Sequence, residues 1–117
     1  MIEKVFEFFK EFSKIPHGSG NTKQISDYLV DFAKKRNLEH YQDELNNVII
    51  IKEAGKGFEN APAVIIQGHM DMVCAKAPDC TKDMEKEGID IETDGEFTVE
   101  NLENALVIRH LRASYEE

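Results

Sequence analysis

Val64-Ile65-Ile66-Gln67-Gly68-His69-Met70-Asp71-Met72-Val73 is the stretch that decides how this chain is read. Together with Ala63, its first residues form a short apolar run rich in β-branched side chains, the pattern of a strand buried on both faces. The run ends at Gly68, where a residue without a Cβ lets the backbone bend closely. A histidine and an aspartate follow, two residues apart. In open α/β sheets, ligands sit just beyond the carboxyl ends of such strands. His69 has a neutral imidazole nitrogen to offer a metal ion, and Asp71 is spaced to orient that ring as a carboxylate partner. By itself the pair is half a metal site. It describes equally well a strand-end histidine hydrogen-bonded to a nearby aspartate.

Upstream, Val48-Ile49-Ile50-Ile51 within Asn47 to Lys52 is a second β-branched run that suits a buried strand. Leu38 to Glu44 offers a short strand before it, with a tight connection at Asn46-Asn47. Glu53 to Pro62, containing Gly55, Gly57 and Asn60, is a polar loop feeding the Ala63 to Ile66 run, which is expected as a central strand. Nearer the N-terminus, Ile2, Val5, Phe6, Phe9 and Phe12 recur at helical spacing. That helix must stop before Ile15-Pro16, because proline restricts its predecessor and has no N–H to donate. His17 to Asn21 makes a turn, and Asn21 or Thr22 caps a second helix whose apolar face is Ile25, Tyr28, Leu29 and Phe32. Lys34-Lys35-Arg36 suit the negative end of its dipole, and Asn37 breaks it. The fold class expected is therefore α/β, two N-terminal helices packed on a mixed β-sheet.

Downstream, Cys74 to Glu87 is charged, contains Pro78 and reads as an extended loop. Ile89, Ile91, Phe97 and Val99 alternate around Asp94-Gly95, a strong hairpin signal. Leu102, Leu106, Val107, Ile108 and Leu111 give the segment from Glu100 to Glu117 a helical pattern with a broad apolar side.

Composition narrows the function. At 117 residues, with 41% hydrophobic and 32% charged residues, the chain suits one globular domain with a modest core. Its 14 Lys+Arg against 23 Asp+Glu give a net charge of -9, a field that repels phosphate backbones and anionic lipid. Nucleic acid is not an expected partner. No apolar run approaches the roughly 20 residues of a membrane span, and MIEKVFEFFKEF lacks the apolar core of a secretory signal. A cytoplasmic location is expected. Cys74 and Cys80 match neither a CxxC pair nor zinc-ribbon spacing and read as two reduced thiols.

Four segments, in order, resemble one family. Ile15-Pro16-His17-Gly18-Ser19-Gly20-Asn21 is similar to its proline and Ser-Gly-Asn turn. Gln42-Asp43-Glu44 with Asn46-Asn47-Val48 resembles its acidic turn and strand start. Ile65 to Val73 resembles its metal-binding strand end, and Asp94-Gly95 its next hairpin. The family is that of the cytosolic aminoacyl-histidine dipeptidases, also called Xaa-His dipeptidases or peptidase D, within the M20 group of zinc metallopeptidases. The resemblance covers residues 1–97, read as the N-terminal part of a catalytic domain, and leaves 98–117 as a divergent tail.

The resemblance implies an α/β domain holding two zinc ions, in which an activated water attacks the peptide carbonyl of a dipeptide. His69 matches the family's first zinc ligand. Asp71 matches the catalytic carboxylate that steers it. The family's hairpin leads into a stretch whose aspartate bridges the metals, and a Glu-Glu pair then supplies the general base and a further ligand. Here the sequence continues Thr98-Val99-Glu100-Asn101-Leu102, with no match to the bridging aspartate. Glu116-Glu117 is such a pair by letters only and takes no catalytic role. A catalytic zinc commonly takes about three protein ligands. His17, His40 and His110 are not tied to His69 by spacing, and Asp79, Asp83, Glu85 and Glu87 read as a solvated charged loop. Zinc, manganese and cobalt all accept such ligands. Two expectations follow: a metal-dependent dipeptidase segment, inactive as this chain alone, or a non-catalytic remnant that forms a homo-oligomer through an exposed sheet edge.

Overall fold

The computed structural model describes residues 2–91 of the chain, and the hairpin at Asp94-Gly95, the helix of the tail, His110 and Glu116-Glu117 lie outside them. The first element, α1 (Ile2–Ser13), is a helix of the expected extent. Phe6, Phe8, Phe9 and Phe12 turn to its half-buried side, whereas Val5 is exposed although its spacing assigns it to that face. The helix closes with Ile15 N–H donating to the Phe12 carbonyl (3.0 Å). Pro16, which has no N–H to continue the ladder, is buried at the turn.

After the turn, α2 (Lys23–Lys34) buries Ile25, Ser26, Val30 and Ala33. Thr22 occupies its N-cap position, but its hydroxyl makes no cap bond; Thr22 Oγ1 accepts instead from Asn46 Nδ2 (3.4 Å). Asn21, the other capping candidate, donates its side-chain amide to the Glu85 carbonyl (2.9 Å). At the far end Asn37 adopts φ 53°, the left-handed conformation that asparagine tolerates, and Leu38 N–H returns to the Ala33 carbonyl (3.0 Å). The expected helix break is thus a left-handed C-terminal cap. The two helices meet through an edge-on pair, Phe8 against Phe32, with ring centroids 5.4 Å apart. The Arg36 guanidinium lies over Phe32, 3.5 Å from its centroid.

A hairpin follows, formed by β1 (Glu39–Gln42) and β2 (Val48–Ile51), antiparallel with Tyr41 opposite Ile49 and Gln42 opposite Val48. Asp43 builds its turn. Its Oδ1 accepts from the N–H groups of Leu45 (2.9 Å) and Asn47 (2.8 Å), while Asn46 takes φ 68°. The hairpin lies against α2, and its seam is polar. Ser26, fully buried, donates to the Asn46 carbonyl (2.8 Å) and accepts from Gln42 Nε2 (2.7 Å).

The α/β class holds, but the described sheet is this antiparallel pair alone, and two strand expectations change. The β2 run is not buried on both faces: Val48 and Ile50 are half-buried, while Ile49 and Ile51 are exposed. A strand that is apolar at consecutive positions has two apolar faces, and α2 covers only one. Ala63 to Ile66, expected as a central strand, is extended without a ladder partner, with Val64, Ile65 and Ile66 exposed at 85%, 91% and 95%. Its composition demands burial, yet no described segment lies beside it to complete a ladder. Among the described residues no helix is long and apolar enough to cross a membrane.

Candidate functional site

His69 and Asp71 stand on the extended segment that follows the exposed apolar run, and they meet as their spacing suggests. The His69 Nδ1–H donates to Asp71 Oδ1 (2.9 Å) and to the Asp71 carbonyl oxygen (2.9 Å). Two acceptors on Nδ1 put the proton of the neutral ring there and leave the lone pair on Nε2. The imidazole is 78% exposed, so the ring reaches solvent while its inner nitrogen is held. Asp71 is partly covered, and its second oxygen, Oδ2, accepts from the Ser19 hydroxyl at 2.7 Å. Ser19 first and His69 second hold the Asp71 carboxyl below the usual carboxylate range, because both donate to its ionised form.

The turn between the helices is what orders this segment. Met72 N–H donates to the His17 carbonyl (2.9 Å) and Ser19 N–H donates to the Met72 carbonyl (3.3 Å), a parallel bridge centred on Gly18 and Met72. Gly18 is buried, and a Cβ there would fall 2.1 Å from Cys74 Sγ, so a side chain at this position would require the thiol to turn away. A further bond, from Ile89 N–H to the Ser13 carbonyl (2.7 Å), ties the later loop to the end of α1. The recess between these strands of chain is about 20 Å³, room for a water molecule and far too small for a dipeptide.

The remaining candidates divide clearly. His17 is buried; its Nδ1 bonds the Ile15 carbonyl and its ring stacks edge-on against Phe12 at 6.1 Å, a structural placement in the turn. His40 is half-buried on β1, with Nδ1 bonded to the Leu38 carbonyl (2.9 Å). Asp83 organises its own loop, accepting from Glu85 N–H (3.1 Å) and pairing with Lys86 (2.9 Å), and Asp79 and Glu87 are exposed beside it. Cys74 and Cys80 are free thiols. Ser19 escaped the reading of the sequence as a site residue. Its only signal was membership of the Ser-Gly-Asn turn, which says nothing about a partner 52 residues away.

The donor chemistry of the pair suits one imidazole ligand with a carboxylate behind it. Among the described residues no three His, Cys, Asp or Glu side chains converge on a point that could hold a metal ion. Nε2 of His69 is the donor this pair leaves available.

No protein-family model matches the chain, and no solved structure matches it. The chain is 34% identical over 95 residues, 81% of its length, to the cytosol non-specific dipeptidase of Escherichia coli strain K12. It spans about a fifth of that protein, 20% of its length. The ordered motifs and this match agree: over those residues the chain is similar to a dipeptidase of the M20 peptidase family, as a fragment of one would be.

Proposed function

We propose that this chain is the His-x-Asp limb of a metal-dependent dipeptidase, with His69 as a metal ligand through Nε2 and Asp71 as the carboxylate that orients it. The observation that carries the reading is the bond from His69 Nδ1–H to Asp71 Oδ1, which leaves Nε2 as the outward lone pair. A zinc ion bound at such a site polarises a peptide carbonyl and acidifies a bound water. The residues of this chain hold the imidazole by Nδ1 and leave Nε2 turned outward. The further ligands and the general base come from outside the described residues. Dipeptides, Xaa-His among them, are the proposed substrates, in the cytoplasm.

With one limb of the site, the chain alone is expected to hydrolyse no dipeptide at an enzymatic rate. The test is a histidine-containing dipeptide incubated with the purified chain and added zinc, beside His69→Ala. Turnover that disappears in the variant would overturn the expectation of inactivity. A zinc titration followed through the imidazole nitrogen resonances tests the ligand role directly. The His69 Nε2 signal should move, and indifference to zinc would sink it.

A second reading has its own observation. Val64, Ile65 and Ile66 stand almost wholly in solvent, and Ile49 of the hairpin is 60% exposed. Such surface favours a non-catalytic interaction role, with this chain pairing with a second copy through its sheet edge. Sedimentation should then show a dimer or larger, and a stable monomer would count against it.

A further inference from the structure

We infer that Ser19 is a positioning residue for His69, acting through Asp71: its hydroxyl occupies Oδ2 and so commits Oδ1 to the imidazole. The inference deepens the proposed role of His69 and rests on it.

The geometry is a three-member relay. Ser19 Oγ donates to Asp71 Oδ2 (2.7 Å), and Asp71 Oδ1 accepts from His69 Nδ1 (2.9 Å). A carboxylate hinged on one bond can rotate about its Cβ–Cγ axis and present either oxygen, or swing out as a ligand itself. A donor on the second oxygen removes that freedom and divides the labour of the two oxygens. Ser19 is itself held by the backbone, because its N–H donates to the Met72 carbonyl (3.3 Å) and Met72 N–H returns to the His17 carbonyl (2.9 Å). The hydroxyl is therefore delivered from a segment that is also bonded to Met72, the residue following Asp71. Removing the hydroxyl leaves the backbone bridge in place, so its effect falls on orientation rather than on folding.

A solution free of metal gives the cleanest test. At a pH well above the titration of histidine, the ring nitrogens of His69 report the tautomer by nitrogen-15 correlation spectroscopy. In the wild-type chain Nδ1 should carry the proton. In Ser19→Ala a large share of the Nε2–H tautomer should appear, and Ser19→Thr, which restores a hydroxyl, should return the wild-type pattern. Asp71→Asn serves as the reference for complete loss of the carboxylate. Titrating zinc into the same samples should show weaker binding in Ser19→Ala by about threefold to tenfold, below the roughly 10- to 100-fold expected when the orienting carboxylate itself is lost. A tautomer unchanged in Ser19→Ala but altered in Asp71→Asn would overturn the role of Ser19 and leave the His69–Asp71 pair standing. A His69 signal indifferent to zinc in every sample would instead remove the ligand reading, whatever the tautomer does.

Discussion

The hydroxyl of Ser26 donates to the carbonyl of Asn46 at 2.8 Å, joining a fully buried point of α2 to the turn of the hairpin. The same oxygen accepts from Gln42, so one small side chain closes a polar seam between helix and sheet. Ser26→Ala leaves the Asn46 carbonyl without this donor in a covered place. The expected loss is about 1–2 kcal/mol, read from the urea midpoint with an unchanged slope. An unchanged midpoint would mean that water replaces the hydroxyl at no cost.

Asn37 caps α2 from the left-handed region, at φ 53°. Asn37→Gly should be neutral or slightly stabilising, because glycine enters that region without a steric penalty. Asn37→Ala should cost about 1 kcal/mol. The pair of variants separates backbone conformation from side-chain contacts, and equal losses in both would contradict the cap.

Two groups set the expected response to pH. Asp43 is held below the usual carboxylate range, first by the side-chain amide of Asn47 and then by backbone N–H groups of the turn. Its contribution is present above the ordinary carboxyl value and disappears as pH falls through the lower folded value, so acid should loosen the hairpin. Asp43→Asn should flatten that acid limb. At the alkaline end Tyr28 is pushed up to about 12, first by burial and then by its bond to Glu11. Its contribution is intact below pH about 10 and fades as pH rises toward the folded value, and Tyr28→Phe should remove that part of the slope. Unfolding curves recorded across both ranges check the two signs.

Ile65 is 91% exposed, so Ile65→Lys should alter the stability of the isolated chain by no more than about 0.5 kcal/mol. If copies pair through this apolar run, the same change should shift sedimentation toward monomer. A large loss of stability would show that Ile65 is covered in solution by the chain's own residues.

How much of this was legible in the sequence depends on the range of the contact. The helices were readable because their apolar period, Pro16 and Asn37 are local signals. The hairpin turn was readable for the same reason, since Asp43 bonds residues only a few positions ahead. His69 and Asp71 met because their spacing already placed them together. Ala63 to Ile66 shows the opposite case. Its side chains announce a need for burial, but a strand exists only with a partner for its N–H and C=O groups, and local composition does not name that partner. Ser19 belongs to the same class: its bond to Asp71 is created by the way the turn lies against the extended segment, and no periodicity encodes that.

The bridge between Gly18 and Met72 has a consequence in folding order. Helices and the hairpin close over a few residues, while this bridge joins two points with α2 and the hairpin between them and must overcome more chain entropy before it forms. The Ser19–Asp71 bond depends on that late event. The earliest folded species should therefore contain both helices and the hairpin, with the hydroxyl of Ser19 not yet seated on Asp71.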